Sequence, residues 1–207
     1  MQEFRLYAIT GENFHPGREL AYVMEQAIIG GADIVQFRDK HSDPAERLRK
    51  ARALRELTRR YGVPFIVNDH IDLALEVDAD GVHLGQGDVP LEEARRRMGS
   101  KIVGISTHAI EEALLAQEQG ADYIGAGPVY ATQTKADVVA PVGLDYIREV
   151  SERIGIPFVA IGGIKLHNAD DVIAAGATRL CAISEIVGSD DPAEACRAFI
   201  RKLDRKG

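Results

Sequence analysis

Short apolar runs alternate with longer stretches of helical periodicity along the chain. Between the apolar runs, segments such as 45–62 and 110–120 carry apolar residues three and four positions apart, which predicts helices. Most of the runs are apolar at every position rather than at alternate ones, which indicates a parallel sheet covered by helices on its outer side. Eight runs are predicted as strands: 6–10, 33–38, 64–69, 81–84, 101–106, 122–127, 157–163 and 179–184.

The number and order of these units favour a closed barrel. The phrase Gly-Ala-Asp or Gly-Ala-Thr stands just before a strand at 31–33, 120–122 and 176–178, which is a weak internal repeat of one strand–helix unit. Eight such units suit a (β/α)8 TIM barrel, with a doubly wound open sheet as the alternative. No linker-like stretch interrupts the 207 residues, so one barrel domain over 1–207 is predicted.

Composition and charge exclude several classes of protein. The net charge of −7 argues against a nucleic-acid partner but allows small anionic ligands. Neither a signal peptide nor an apolar run near the ~18 residues of a membrane span is evident, so we expect no membrane partner. Two cysteines, Cys181 and Cys196, favour reduced thiols and a cytoplasmic location. The oligomeric state stays open, a homo-oligomer included.

Cationic groups follow the second predicted strand. In a barrel of this type the active site lies at the C-terminal ends of the strands. Strand alternation places Gln36, Arg38 and Lys40 on one face. Arginine forms forked contacts with phosphate oxygens and lysine supplies a point charge. One arginine alone would suggest a salt-bridged strand end, whereas three polar groups in register favour a binding site.

Carboxylates follow the next two strands. Asp69 comes directly after Asn68 at the end of the third strand, and Asp88 lies in the loop after the fourth. The two carboxylates suit Mg²⁺, which takes few protein ligands and completes its shell with water and phosphate oxygens. Simple ion pairing with Arg38 and Lys40 is the alternative. Asp88 is also a candidate cap for a helix near Pro90.

Hydroxyl and imidazole groups follow the fourth and fifth strands. Ser106 and Thr107 suit either a helix cap or a contact to phosphate, and the two roles are compatible. His83 and His108 are candidates for acid–base chemistry, although a lone histidine in such a place is more often structural.

A second anion site is predicted at strands seven and eight. Gly162 and Gly163 allow close backbone approach, and Ser184 adds a hydroxyl donor near a short helix. Neutral donors of this kind suit a monophosphate, whereas the cationic side suits a diphosphate. The segment 127-GPVYATQTKAD-137, with Thr132, Thr134 and Lys135, lies between them in sequence and suits a loop that closes over both ligands.

Taken together, these motifs resemble the thiamine-phosphate synthase family along nearly the whole chain. Members of that family are (β/α)8 barrels that require Mg²⁺. They join 4-amino-5-hydroxymethyl-2-methylpyrimidine diphosphate to a thiazole monophosphate. The matching motifs are 35-VQFRDK-40, 67-VND-69, 81-GVHLGQGD-88, 104-GISTH-108, 127-GPVYATQTK-135, 160-AIGGI-164 and 182-AIS-184.

The resemblance implies a role for each matched residue. Diphosphate would leave first, and the thiazole nitrogen would trap the resulting pyrimidine methyl cation. Arg38, Lys40, Ser106 and Lys135 would act on the diphosphate, and Asp69 and Asp88 would hold Mg²⁺. Gln36 and Asn68 would contact the pyrimidine substrate, and Thr132, Thr134, Gly163, Ile183 and Ser184 would line the thiazole phosphate side.

Three positions depart from the family pattern: Gly87, Ala131 and Glu185, the last of which puts a carboxylate near the predicted monophosphate site. A thiazole tautomerase of the same fold is an alternative, but those relatives place a histidine where Pro128 stands. A non-catalytic sensor of phosphate ligands and an aldolase acting through Lys165 are further alternatives, and the intact Asp69, Asp88 and Lys135 favour the synthase over a sensor.

Overall fold

The structure is a computed structural model that describes residues 3–11, 15, 17–132 and 139–205. Eight parallel strands form a closed barrel in sequence order. The last strand pairs with the first through Leu6↔Leu180 and Tyr7↔Cys181, which closes the ring and confirms the predicted fold class. The strands are β1 Leu6–Ile9, β2 Ile34–Phe37, β3 Phe65–Asn68, β4 Gly81–Leu84, β5 Ile102–Thr107, β6 Tyr123–Ala126, β7 Phe158–Ile161 and β8 Leu180–Cys181.

Helices surround the barrel. Within the described ranges, none combines the length and the apolar character that a membrane span needs. The helices are α1 Leu20–Ile29, α2 Pro44–Tyr61, α3 Ile71–Glu76, α4 Leu91–Met98, α5 Ile110–Glu118, α6 Gly143–Arg153, α7 Ala169–Ala174, α8 Ile183–Val187 and α9 Pro192–Asp204.

The predicted strand ends on the last two units were wrong. β7 ends at Ile161 because Gly162 and Gly163 have φ of 96° and 64°, a left-handed backbone that cannot continue a strand. β8 is only two residues long, because only Leu180 and Cys181 pair with both β1 and β7. Ile183 and Ser184, predicted in strand eight, open the short helix α8 instead.

Helix α2 shows how local sequence sets an element. Asp43 accepts a hydrogen bond from the Glu46 N–H at 3.0 Å, and Pro44 fills the first turn, where its missing donor costs nothing. Gly62 ends the helix in the left-handed region with φ of 66°. The buried positions Ala51, Leu54, Leu57 and Thr58 recur at helical spacing and form the face toward the sheet.

The repeated Gly-Ala-Asp phrase has a structural cause at the base of the barrel. Each aspartate stands just before an even-numbered strand and accepts backbone N–H groups at the start of the preceding strand. Asp33 accepts from Arg5 and Leu6 at 2.9–3.0 Å, and Asp122 accepts from Val103 at 2.7 Å. Asp80, in the related phrase Ala-Asp-Gly, accepts from Phe65 at 2.8 Å. These carboxylates therefore satisfy donors that the sheet itself leaves open.

Aromatic rings close the lower interior of the barrel. Phe4 meets the rings of Tyr7 and Tyr123 edge-on, with centroids 6.0 Å apart in both pairs. The ring of Tyr123 lies over Gly104, where any Cβ would come within 2.2 Å of it. This packing fills the lower interior, on the side away from the C-terminal strand ends where the predicted site lies.

Candidate active site

Five polar side chains form a continuous hydrogen-bonded chain inside the barrel. Gln36 Nε2 lies 2.9 Å from Tyr7 Oη, which lies 2.8 Å from Tyr123 Oη. Tyr123 Oη lies 2.9 Å from His83 Nδ1, and His83 Nε2 lies 3.0 Å from Ser106 Oγ. The first four side chains are buried and Ser106 is half-buried, so the chain leads from the interior to the mouth.

A small pocket lies above this chain. Burial raises the pKa values of the Tyr7 and Tyr123 phenols well above the ordinary tyrosine value, so both hydroxyls keep their protons. A pocket with apolar walls and a few convergent polar groups is typical of a small-molecule site. Gln36, His83 and Ser106 line its polar side, and Ile9, Val159, Ile161 and Cys181 are among the residues on its apolar side.

The predicted row Gln36, Arg38 and Lys40 is divided between two places. β2 ends at Phe37, so strand alternation covers only Gln36, which is buried inside the barrel. Arg38 and Lys40 lie in the following loop at the rim. Thr10 holds the Arg38 peptide on both sides, because its hydroxyl accepts from the Arg38 N–H at 2.8 Å and donates to the Arg38 carbonyl at 2.9 Å.

Asp39, between the two cations, points the other way. Its side chain is 1% exposed and accepts from the Ser42 N–H at 2.8 Å and the His41 N–H at 3.2 Å. Lys50 of α2 lies 2.9 Å from the same carboxylate and also donates to the Ser42 hydroxyl. Asp39 and Lys50 therefore anchor to α2 the loop that carries Arg38 and Lys40.

Two carboxylates meet at the rim beside Lys40. Lys40 Nζ forms an ion pair with Asp69. Asp69 has φ of 62°, a left-handed backbone that is rare for a residue with a side chain and that often marks a functional position. Partial burial raises the pKa of Asp88, and the adjacent Asp69 carboxylate raises it further.

The alternatives in which these polar groups cap helices are wrong. Asp88 accepts from the Gly85 N–H at 2.7 Å, and no described side chain caps α4. Ser106 contacts His83, while Thr107 Oγ1 accepts from Tyr146 Oη at 2.8 Å. No side chain among the described residues caps α5, so neither hydroxyl serves that helix.

The two candidate histidines have different surroundings. His83 lies within the interior chain, between Tyr123 and Ser106. The ring Nδ1 of His108 donates to the Gly127 carbonyl, and the backbone N–H of His108 donates to the Glu112 carboxylate at 2.7 Å. His108 thus joins the ends of β5 and β6, the structural role that the sequence left open.

The double glycine after β7 accommodates another loop of the protein. A Cβ at Gly162 would lie 2.4 Å from Pro128, and one at Gly163 would lie 2.7 Å from the Ala131 carbonyl oxygen. The Tyr130 N–H also donates to the Gly162 carbonyl at 3.0 Å. The glycines therefore let the loop after β6 come down onto the loop after β7, and that loop leads to Thr132.

Glu185 has an opposite charge beside it. Lys165 Nζ lies 3.8 Å from the Glu185 carboxylate, and both side chains are partly exposed. The lysine lessens the repulsion that Glu185 would exert on a phosphate. The same exposure argues against Lys165 as a Schiff-base group, which needs a desolvating pocket.

The described residues include most but not all of the predicted site. Thr134 and Lys135 lie outside the described residues, so their predicted roles have no structural counterpart here. Asn68 is buried at the end of β3, in register with His83. Ile183 is buried and Ser184 half-buried in the first turn of α8.

Sequence reasoning missed Tyr7, Tyr123 and the Asp39–Lys50 pair. The tyrosines stand in apolar runs and resemble core residues. Strand alternation could have found them, because Tyr7 and Tyr123 occupy inward-facing strand positions, as Gln36 and His83 do. Asp39 stands between two cations in the sequence, and nothing there shows that Lys50 of α2 pairs with it.

A closed (β/α)8 barrel with cations, paired carboxylates and a polar pocket at the C-terminal mouth defines a class, namely barrel enzymes that bind phosphorylated small molecules. Comparison with known proteins identifies the family. Residues 6–186 match the family described as thiamine monophosphate synthase. The chain therefore belongs to that family.

Individual relatives agree with this assignment. The chain is 60% identical to a thiamine-phosphate synthase from Halalkalibacterium halodurans, covering 100% of this chain and 99% of the relative. It is 58% identical to one from Shouchella clausii, covering 99% and 98%. Among solved structures, a thiamine phosphate pyrophosphorylase from Pyrococcus furiosus aligns with a TM-score of 0.89 at 37% identity, covering 98% of this chain and 96% of that one.

Proposed function

We propose that the protein condenses 4-amino-5-hydroxymethyl-2-methylpyrimidine diphosphate with hydroxyethylthiazole monophosphate, giving thiamine monophosphate and diphosphate. Family membership supports the reaction. The observation that carries the proposal is the meeting of Lys40 with the Asp69–Asp88 carboxylate pair at the C-terminal rim of the barrel. Cations and carboxylates together suit a diphosphate bound with a divalent metal, and the polar groups inside the barrel offer hydrogen-bond partners to a heteroaromatic ring.

The donor set fits Mg²⁺. Partial burial and the neighbouring Asp69 carboxylate both raise the pKa of Asp88, and a divalent cation would offset the repulsion between the two carboxylates. Among the described residues no group of three or more His, Cys, Asp or Glu forms a metal cage. A site with two carboxylates, completed by water and diphosphate oxygens, is the arrangement that Mg²⁺ prefers. When bound, the metal would supply charge that stabilises the departing diphosphate.

The protein's own contribution is to stabilise the leaving group. The bond between the pyrimidine methylene carbon and the diphosphate oxygen breaks, and the electron pair leaves with the diphosphate. Arg38, Lys40 and Ser106 offer a guanidinium, an ammonium and a hydroxyl to the oxygens where this charge develops. The thiazole nitrogen then gives its lone pair to the carbon, forming the new C–N bond. No protein nucleophile takes part.

The pyrimidine and the thiazole phosphate bind on different sides of the barrel mouth. Gln36 and Asn68, both buried, contact the pyrimidine. The thiazole phosphate lies on the side of β7 and β8, against Gly163, Ile183 and Ser184. Thr132 extends that side from the loop after β6. By the family resemblance Thr134 would also serve the thiazole phosphate, whereas Lys135 would act on the diphosphate.

The test is diphosphate release from purified protein that is given both substrates and Mg²⁺, with each of the three omitted in turn. We expect release only when all three are present. If no diphosphate is released while thiazole phosphate still binds, the synthase proposal fails, and a tautomerase or sensor becomes the better reading.

A further inference from the structure

We propose that Tyr123 is a positioning residue that, through His83, holds Ser106 as a hydrogen-bond donor toward the leaving diphosphate. The inference rests on the proposed function for its consequence, but its geometry is independent of it. The buried hydrogen-bonded chain from Gln36 to Ser106 carries it.

Among these five side chains, one direction gives every donor an acceptor. The Gln36 Nε2 group can only donate, so the Tyr7 oxygen accepts from it at 2.9 Å. In this direction Tyr7 donates its hydroxyl hydrogen bond to the Tyr123 oxygen, 2.8 Å away. Tyr123 in turn donates to His83 Nδ1 at 2.9 Å. A neutral imidazole that accepts at Nδ1 carries its proton on Nε2.

This direction decides what Ser106 offers the substrate. His83 Nε2–H donates to Ser106 Oγ at 3.0 Å, which occupies an oxygen lone pair and leaves the serine proton available to a ligand. In the opposite direction, His83 Nε2 would accept a hydrogen bond from the Ser106 hydroxyl, and the serine would present only oxygen lone pairs to an anion. A donor stabilises the negative charge of the departing diphosphate, whereas lone pairs repel it.

Burial makes the direction persistent. Tyr7 and Tyr123 are about 1% and 0% exposed, and Gln36 and His83 are also buried. Water therefore has little access to replace a lost bond, and an interrupted chain leaves unpaired polar groups in a low-dielectric interior.

The first experiment measures the His83 tautomer in the wild-type protein. Protein labelled with ¹⁵N-histidine, with His83 assigned by comparison with His83→Gln, is examined by long-range ¹H–¹⁵N NMR without substrates. We expect the proton on Nε2 and an unprotonated Nδ1. A His83 with its proton on Nδ1 overturns the proposal.

The second experiment compares two Tyr→Phe variants. Tyr123→Phe removes the donor to His83, so we expect a protonated Nδ1 to appear. We also expect inorganic diphosphate with Mg²⁺ to bind several-fold more weakly. The expected fall in kcat is about tenfold or more, the size seen when an outer-shell partner is lost, with a smaller change in KM.

Tyr146→Phe is the matched control. Tyr146 is also buried and donates to Thr107 Oγ1 at 2.8 Å, but outside the barrel chain. We expect this variant to keep the wild-type His83 tautomer, diphosphate affinity and kcat. If Tyr123→Phe resembles Tyr146→Phe in these measurements, the positioning role is refuted. A wild-type protein that makes no thiamine monophosphate would refute the proposed function instead, since the tautomer and diphosphate affinity are measured without turnover.

Discussion

Replacing Lys50 with methionine tests whether the Asp39–Lys50 pair holds the cationic loop. The substitution keeps much of the aliphatic stem but removes an ammonium group 2.9 Å from a carboxylate that is 1% exposed. It also removes the bond from Lys50 to the Ser42 hydroxyl. Both contacts hold the loop that carries Arg38 and Lys40, so the variant should lower both stability and diphosphate affinity.

The size of the effect follows from burial. Removing one partner of a buried ion pair typically costs about 3–5 kcal/mol. Lys50 is 25% exposed, so water offsets part of this cost and we expect about 2–3 kcal/mol of lost stability. At about 2–4 °C per kcal/mol for a chain of this length, the melting temperature should fall by about 4–12 °C.

The assay combines thermal unfolding with calorimetric titration of inorganic diphosphate in the presence of Mg²⁺. We expect diphosphate affinity to fall about tenfold or more, because small displacements of binding groups are costly, while thiazole phosphate affinity is retained. Lys50→Arg should preserve both properties. Arg49→Met, on the same helix, removes an exposed partner of Glu46 and is the control. Lys50→Met behaving like Arg49→Met in both measurements would refute the reasoning.

Three further predictions concern other parts of the barrel. Asp122→Ala should cost about 1–3 kcal/mol in urea unfolding, because it removes both the Val103 N–H bond and the ion pair with Arg95. Asp122 lies at the end of the barrel opposite the site, so kcat should be unchanged, and a large loss of kcat would contradict this. Gly163→Ala should raise KM for thiazole phosphate, because the added Cβ would displace the loop at Ala131. The control Gly62→Ala has φ of 66° and open space around it, so it should lower stability without changing KM, and equal KM values for the two variants would contradict this. Burial raises the pKa of Cys196 to about 12, so its thiol should stay protonated at pH 8 and react with iodoacetamide only after unfolding; rapid labelling of the folded protein would contradict this.

The sequence predicts the barrel well because its strands carry a strong signal. Runs that are apolar at every position fit few environments other than a sheet covered on both faces, and β4 was predicted with its exact bounds at 81–84. The errors lie where pairing rather than composition ends a strand. Nothing in 179-RLCAIS-184 shows that only Leu180 and Cys181 pair with neighbours, so Ile183 and Ser184 were assigned to the wrong element.

The site was predicted through its charged and amide residues, whereas the two buried tyrosines were missed. Lys40, Asp69 and Asp88 stand after strands, and the structure brings them together. Tyr123 lies in an apolar run, and only its three-dimensional partners, Tyr7 and His83, distinguish it from a core residue. The single-domain assignment, the oligomeric state and the roles of the site residues, Thr134 and Lys135 included, stay predictions.

The most direct test of the central claim is the identity and amount of product formed by the wild-type protein. Mass spectrometry and a diphosphate assay would be applied to the same reaction containing both substrates and Mg²⁺. The account predicts thiamine monophosphate and diphosphate in a one-to-one ratio, with neither formed by Asp69→Ala. Diphosphate released without thiamine monophosphate, or a fully active Asp69→Ala variant, would contradict it.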